Sequence, residues 1–214
     1  MDKIDIEGFF IKNKYFLIGF LAGIIIIVGA LLGVKFYYYK LNQSANKMLW
    51  KGIRLYMSYN GKNPEAVSGS ISYLKKLQKK YKGTTDYKIS NFYLGLDYMR
   101  AGKLKKSAVY FTKYARYYPK PNSHNLTYLA YSNLATVSML QKNYKSAILY
   151  FKAMSKINDV KLQEYALLEE AAVWTQIKEP KKAVAVYNTI LTNDAMTKDR
   201  GYIENLIQLN ELRF

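Results

Sequence analysis

Residues 93–119 read YLGLDYMRAGKLKKSAVYFTKYARYYP, and the alternation of small and large residues along this stretch decides the fold. Tyr93-Leu94-Gly95, Tyr98, Gly102, Leu104, Ser107-Ala108, Phe111 and Pro119 form one pattern. Tyr131, Leu134-Ala135, Tyr144, Ala147 and Phe151 form a second, and Leu167, Ala171, Trp174, Ala183, Tyr187 and Ile190 a third. The steps from Gly95 to Ala135 to Ala171 are about forty and about thirty-six residues, the length of one repeated helix pair. A small residue at Gly95, Ala135 or Ala171 lets the first helix of a pair approach the second closely. Another at Ala147 or Ala183 does so from the opposite side, and large side chains fill the space between. Half of the chain is apolar and there are only four prolines in 214 residues, which favours an all-α protein over a sheet protein.

Working outward, an earlier degenerate copy is expected to pair the helix around Met48–Tyr59 with Ala66–Tyr81. Leu41, Ala45, Met48, Leu49, Ile53 and Tyr56 recur there at helical spacing. At the other end, Asp199 to Leu212 places Tyr202, Leu206 and Leu209 on one stripe and Ile203 and Ile207 on its neighbour, as a helix capping the last repeat requires. The predicted fold is all-α, an N-terminal transmembrane helix followed by a helical repeat array. Its expected parts are a short tail (1–14), the membrane helix (15–38), a linking helix with the degenerate first repeat (39–85), three repeats (86–196) and a capping helix (197–214).

The membrane helix is read from Tyr15 to Val34, YFLIGFLAGIIIIVGALLGV, with no charge between Lys14 and Lys35. Its length matches the hydrocarbon thickness of a bilayer. Phe9, Phe10 and Tyr15 before it, and Phe36, Tyr37, Tyr38 and Tyr39 after it, read as interfacial aromatic belts. A cleaved signal peptide has a shorter apolar core followed by a small-x-small site, whereas Lys-Phe-Tyr-Tyr-Tyr-Lys follows here. Between Val34 and Asn60-Gly61 the only helix-weakening residue is Gly52, so the membrane helix is expected to run into the first soluble helix without interruption. Gly19, Ala22, Gly23, Gly29, Ala30 and Gly33 fall within an arc of roughly 120° at about 100° per residue, and two of their spacings are GxxxG. That is a helix–helix contact face, or else the ordinary glycine content of a membrane helix. Lys3, Lys12 and Lys14 on one side face Lys35, Lys40, Lys47, Lys51 and Arg54 on the other, so lysine count alone leans toward a cytoplasmic domain. Long domains translocate largely regardless of charge, and the expected arrangement is tail inside, domain outside the cytoplasmic membrane.

A net charge of +18 would ordinarily point to nucleic acid or an anionic membrane. Arginine occurs only at Arg54, Arg100, Arg116, Arg200 and Arg213, and the lysine, tyrosine, isoleucine and asparagine excess is what an AT-rich coding sequence produces. No nucleic-acid partner is therefore expected. A membrane partner is, because lysines close to anionic headgroups contribute up to about 1 kcal/mol each. The absence of cysteine excludes disulfides, thiolate metal sites, a cysteine nucleophile and a lipid-modified cysteine.

On the repeat residues quoted, the chain resembles the tetratricopeptide superfamily. Its whole layout of tail, membrane helix, linking helix, few divergent repeats and terminal helix resembles the membrane-anchored ancillary subunit of the bacterial secretion translocon. That resemblance implies an inner-membrane protein with its domain outside the cytoplasm, contacting the translocon and acting like a chaperone on emerging polypeptides. Flagellar motor collars and other envelope machines also use anchored tetratricopeptide proteins, which implies a structural scaffold instead.

The resemblance further implies a concave groove lined by the first helix of each repeat. Those positions are Phe92, Tyr93, Leu96 and Met99, then Ser132, Asn133, Thr136 and Met139, then Tyr165, Leu168, Ala172 and Thr175. Only Asn133 fits the lysine–asparagine clamp that grips a C-terminal carboxylate in co-chaperone repeats, so apolar peptide or a partner helix is the expected ligand. The alternative is that these residues pack against the linking or terminal helix. No catalytic site is expected: His124 is the only histidine, in a Pro-Lys-Pro-Asn-Ser-His-Asn loop, and Glu169-Glu170 are adjacent and so diverge on a helix. Phosphate loops, metal-ligand spacings and cofactor motifs are lacking.

Overall fold

The computed structural model describes residues 13–119, 126–193, 196 and 199–212. Among these the chain forms nine α-helices and no strand. They are α1 (Lys14–Met57), α2 (Pro64–Lys80), α3 (Thr85–Arg100), α4 (Leu104–Tyr117), α5 (Thr127–Leu140), α6 (Tyr144–Met154), α7 (Val160–Gln176), α8 (Pro180–Leu191) and α9 (Arg200–Leu212).

α1 is one unbroken helix of 44 residues, roughly 66 Å at about 1.5 Å per residue. Its apolar half is long and apolar enough to cross a membrane, and none of that window is buried against the rest of the chain. Its other half buries Ala45, Leu49, Gly52 and Ile53. The expected boundary at residues 38 and 39 falls inside this helix and is no break in it. Gly52 does not weaken α1 because its place is dictated by packing: a Cβ there would lie 2.6 Å from Leu74 Cδ2.

Directions follow from contacts. Gly52 meets Leu74 and Gly69 meets Leu55, so α1 and α2 are antiparallel. Ser70 bonds Asp97 and Gln78 bonds Asn91, so α2 and α3 are antiparallel as well. Asn46 meets Asp86 and Tyr56 meets Tyr93, so α1 and α3 are parallel. The up-and-down order continues, with Tyr128 of α5 beside Tyr165 of α7 and Thr175 of α7 beside Asn210 of α9. Four apolar clusters succeed one another along this stack, centred on Leu74 and Leu77, then Phe111, then Phe151 and Met154, then Tyr187 and Ile190. Each helix thus buries its apolar face on neighbours close in sequence, the arrangement of a quasi-one-dimensional array.

The small residues named from sequence lie at the helix contacts. Ala135, Ala147, Ala171 and Ala183 are fully buried, and a Cβ on Gly95 would lie 2.7 Å from ring carbons of Phe111. The turns repeat in the same register. Gly102, Lys142 and Lys178 follow Gly95, Ala135 and Ala171 at the same offset, and all three have positive φ, at 67°, 57° and 61°. Each is the left-handed residue of a Schellman turn, with Gly102 N–H donating to Met99 O and Lys103 N–H to Tyr98 O in the first copy. The same two bonds recur at Lys142 and Asn143, and at Lys178 and Glu179. The α1–α2 turn differs, with Gly61 at φ 85° inside an asparagine-bonded loop.

α9 covers the last cluster, and of its two apolar stripes the one with Ile203 and Ile207 faces inward. Ile203 and Asn210 are buried and Leu206 and Ile207 pack at the edge, whereas Tyr202 and Leu209 are exposed. In that orientation the Thr175 hydroxyl donates to the amide oxygen of Asn210 at 2.7 Å, while Asn210 Nδ2 donates back to Leu206 O.

Candidate partner-binding surface

The residues implied for the groove divide into three kinds. Phe92 is not a surface residue. It is 4% exposed and its ring meets Phe111 and Tyr114 edge-on at 5.7 and 5.6 Å, so it belongs to the core between α3, α4 and α5. Tyr93, Leu96 and Met99 are half-buried, with Tyr93 packed at 5.8 Å on Tyr56 of α1 and Leu96 at the edge of the Phe111 cluster. In the third repeat Leu168 packs on the last cluster and Thr175 is held by Asn210 of α9. At both ends of the array, therefore, the linking and terminal helices cover part of the face.

The open part lies in the middle. Thr136, Ala172 and Tyr165 are exposed, Ser132 and Asn133 half-exposed, and Met139 half-buried against the Phe151 cluster. Leu129 and Leu140, absent from the implied set, are 47% and 61% exposed. Leu129, Asn133, Thr136 and Leu140 recur at four, three and four residues, one stripe of α5. That spacing is visible in the sequence. What was not visible is that, among the described residues, no other helix covers it. Asn133 donates its amide to Leu129 O and Thr136 donates to Ser132 O, so both polar groups are engaged within their own helix. The stripe offers apolar area whose side-chain donors are already engaged.

Tyr128 forms the floor beside Tyr165. Burial pushes its phenol above the usual range, reinforced by Tyr165, Asp159 and Glu169, so it stays protonated and donates to Leu162 O at 3.3 Å. The adjacent carboxylates diverge: Glu170 is buried, accepts from Trp174 Nε1 at 3.1 Å and has Lys152 Nζ at 3.7 Å, while Glu169 stays partly exposed. His124 lies outside the described residues. Among the described residues no group of three or more His, Asp or Glu side chains could hold a metal. Two shallow surface hollows lie away from the stripe, one at Pro180, Val184 and Asn210, the other at Ile148, Leu149 and Trp174.

On the apolar half of α1, Gly19, Ala22, Gly23, Gly29, Ala30 and Gly33 face no other part of the chain among the described residues. A Cβ on any of the four glycines meets nothing within 4 Å. Compared with protein-family models and with curated proteins, the chain gives no match.

Proposed function

We propose that this chain is a non-enzymatic, membrane-anchored protein-binding module of tetratricopeptide type, with its domain outside the cytoplasm and a chaperone-like or adaptor role beside a secretion translocon. The observation that carries the reading is α1, in which a membrane-length apolar run and the first buried seam of a helical array share one uninterrupted helix. Such a helix has little reason to exist unless the array acts at a membrane. The register of small residues and left-handed turns at Gly102, Lys142 and Lys178 supports a repeated helix pair, the unit that superfamily uses. The exposed Leu129–Leu140 stripe beside Tyr165 supports an apolar peptide or partner helix as the ligand.

The test uses the full chain in lipid nanodiscs and a permanently unfolded polypeptide as probe. Binding is expected, and Leu129→Ser with Leu140→Ser weakens it several-fold without lowering the melting temperature, because both side chains are already largely in water. Unchanged binding in the double variant overturns the stripe as the site. A second reading, a scaffold subunit of an envelope machine, is favoured by the rigid joint between anchor and domain. It predicts no affinity for unfolded chains and loss of one large assembly on deletion. A C-terminal tag confined to the cytoplasm defeats both extracytoplasmic versions.

A further inference from the structure

Residues 75–88 read KKLQKKYKGTTDYK. In sequence this polybasic stretch is some forty residues from the membrane run, but the fold returns it. α2 runs antiparallel to α1, so its C-terminal end comes back toward the apolar half of α1. Tyr81 joins the same cluster as Ala45, against whose edge Leu41 packs. Leu41 lies seven residues beyond Val34, about 10 Å along a helix rising about 1.5 Å per residue. The headgroup layer itself takes up roughly 5–7 Å of that distance. Leu41 marks only the near edge of the cluster; by the pairing of Gly52 with Leu74, Tyr81 lies level with Ala45, four residues or about 6 Å further out, so the α2 end stands about 10 Å from the headgroup surface, close to a Debye length of about 8 Å.

Its charges are free to act there. Lys75, Lys76, Lys79, Lys80 and Lys82 are all exposed, and among the described residues none of them forms an ion pair. The carboxylate of this stretch, Asp86, is buried and accepts from Asn46 of α1 at 3.2 Å. Lys76, Lys79 and Lys80 also share a hollow with Met48 of α1, so cations and the anchor helix form one continuous surface.

We propose that the C-terminal end of α2, through Lys76, Lys79, Lys80 and Lys82, docks on the anionic phosphates of the bilayer that α1 crosses. It acts as a second, electrostatic foot beside the helical anchor. The proposal rests on the reading that α1 spans the membrane. Two supports on one rigid unit fix the tilt of the array, which a single helix alone would not.

The test is lysine acylation read by mass spectrometry on the full chain in nanodiscs of phosphatidylcholine alone or mixed with phosphatidylglycerol. With the anionic lipid, Lys76, Lys79, Lys80 and Lys82 are expected to lose reactivity about fivefold, the factor set by about 1 kcal/mol per near-surface lysine. High salt should restore it. Lys62, at the far end of the same helix pair, and Lys142 should not respond. In Lys79→Glu with Lys80→Glu and Lys82→Glu, the protection of Lys76 should vanish while the chain stays in the discs. Equal labelling in both lipids by retained chain overturns the proposal alone. Protection by an added DNA duplex in neutral discs, without any lipid response, overturns it in favour of nucleic acid. Failure of the chain to enter discs of either composition overturns the spanning reading and the proposal with it.

Discussion

The guanidinium of Arg100 stacks 3.6 Å over the ring of Tyr56 and donates to the Tyr56 carbonyl oxygen. This contact ties the last turn of α1 to the last turn of α3, 44 residues away. It also adds a second donor to a carbonyl that otherwise accepts only the long 3.4 Å bond from Tyr59 N–H.

Arg100→Ala should therefore lower stability by about 1–2 kcal/mol, combining a cation–π contact and a charge-assisted hydrogen bond. Arg100→Lys should recover less than half, since an ammonium cannot stack as a plane. Urea denaturation of the three proteins decides this, and an Arg100→Ala midpoint equal to wild type would contradict it.

Gly95 is a tight contact between α3 and α4, and the Phe111 ring it meets is fully buried. Gly95→Ala should cost about 1–3 kcal/mol by overpacking, and Gly95→Leu more. Gly19→Ala, where a Cβ meets nothing within 4 Å, should leave domain stability unchanged. Thermal melts of these variants test the packing, and a neutral Gly95→Ala would mean the contact is looser than the geometry states.

The left-handed turn residues make a sign prediction. Lys142 and Lys178 hold positive φ with a full side chain, whereas Gly102 does so without strain. Lys142→Gly and Lys178→Gly should each stabilise by about 0.5–1 kcal/mol, and Gly102→Ala should destabilise by about 1 kcal/mol. Destabilisation by both glycine substitutions would contradict the assigned turn.

Asp97 is fully buried, and burial pushes its carboxyl from 3.8 up to about 7, against the Ser70 hydroxyl at 2.6 Å and the Arg100 charge, which both lower it. Its other oxygen has no partner, as suits a neutral acid. Between 3.8 and about 7 the folded chain holds a proton that the unfolded chain has lost. This group's contribution to stability therefore falls as pH rises through that window and is flat above it. Asp97→Asn keeps an acceptor for Ser70 and should flatten the dependence of the unfolding midpoint from about pH 4 to about pH 7. An unchanged slope would assign it to other groups.

What was legible in the sequence was the part governed by local spacing. Gly95, Ala135 and Ala171 mark helix contacts because only small residues permit close approach, and an apolar run without breakers predicts one long α1. What was not legible depends on which face a neighbour covers. Phe92 and Tyr93 are adjacent aromatics with the same local credentials, yet Phe92 fills the core while Tyr93 leans on the anchor helix. Leu129 and Leu140 looked like any apolar helix positions, and only the absence of a covering helix among the described residues makes them surface. Likewise the helix period allowed either stripe of α9 to face inward, and the Thr175–Asn210 contact accompanies the one that does.

The most direct test of an anchored protein-binding array is site-specific photocrosslinking in native membranes, with the reactive side chain placed at Leu129 or Thr136, or at Val109 on α4 as a comparison. The stripe positions should give discrete protein adducts, from chain that remains membrane-embedded, and Val109 should not. Equal adducts from all three positions, or none from the stripe in embedded chain, would contradict the assignment of this surface to partner binding.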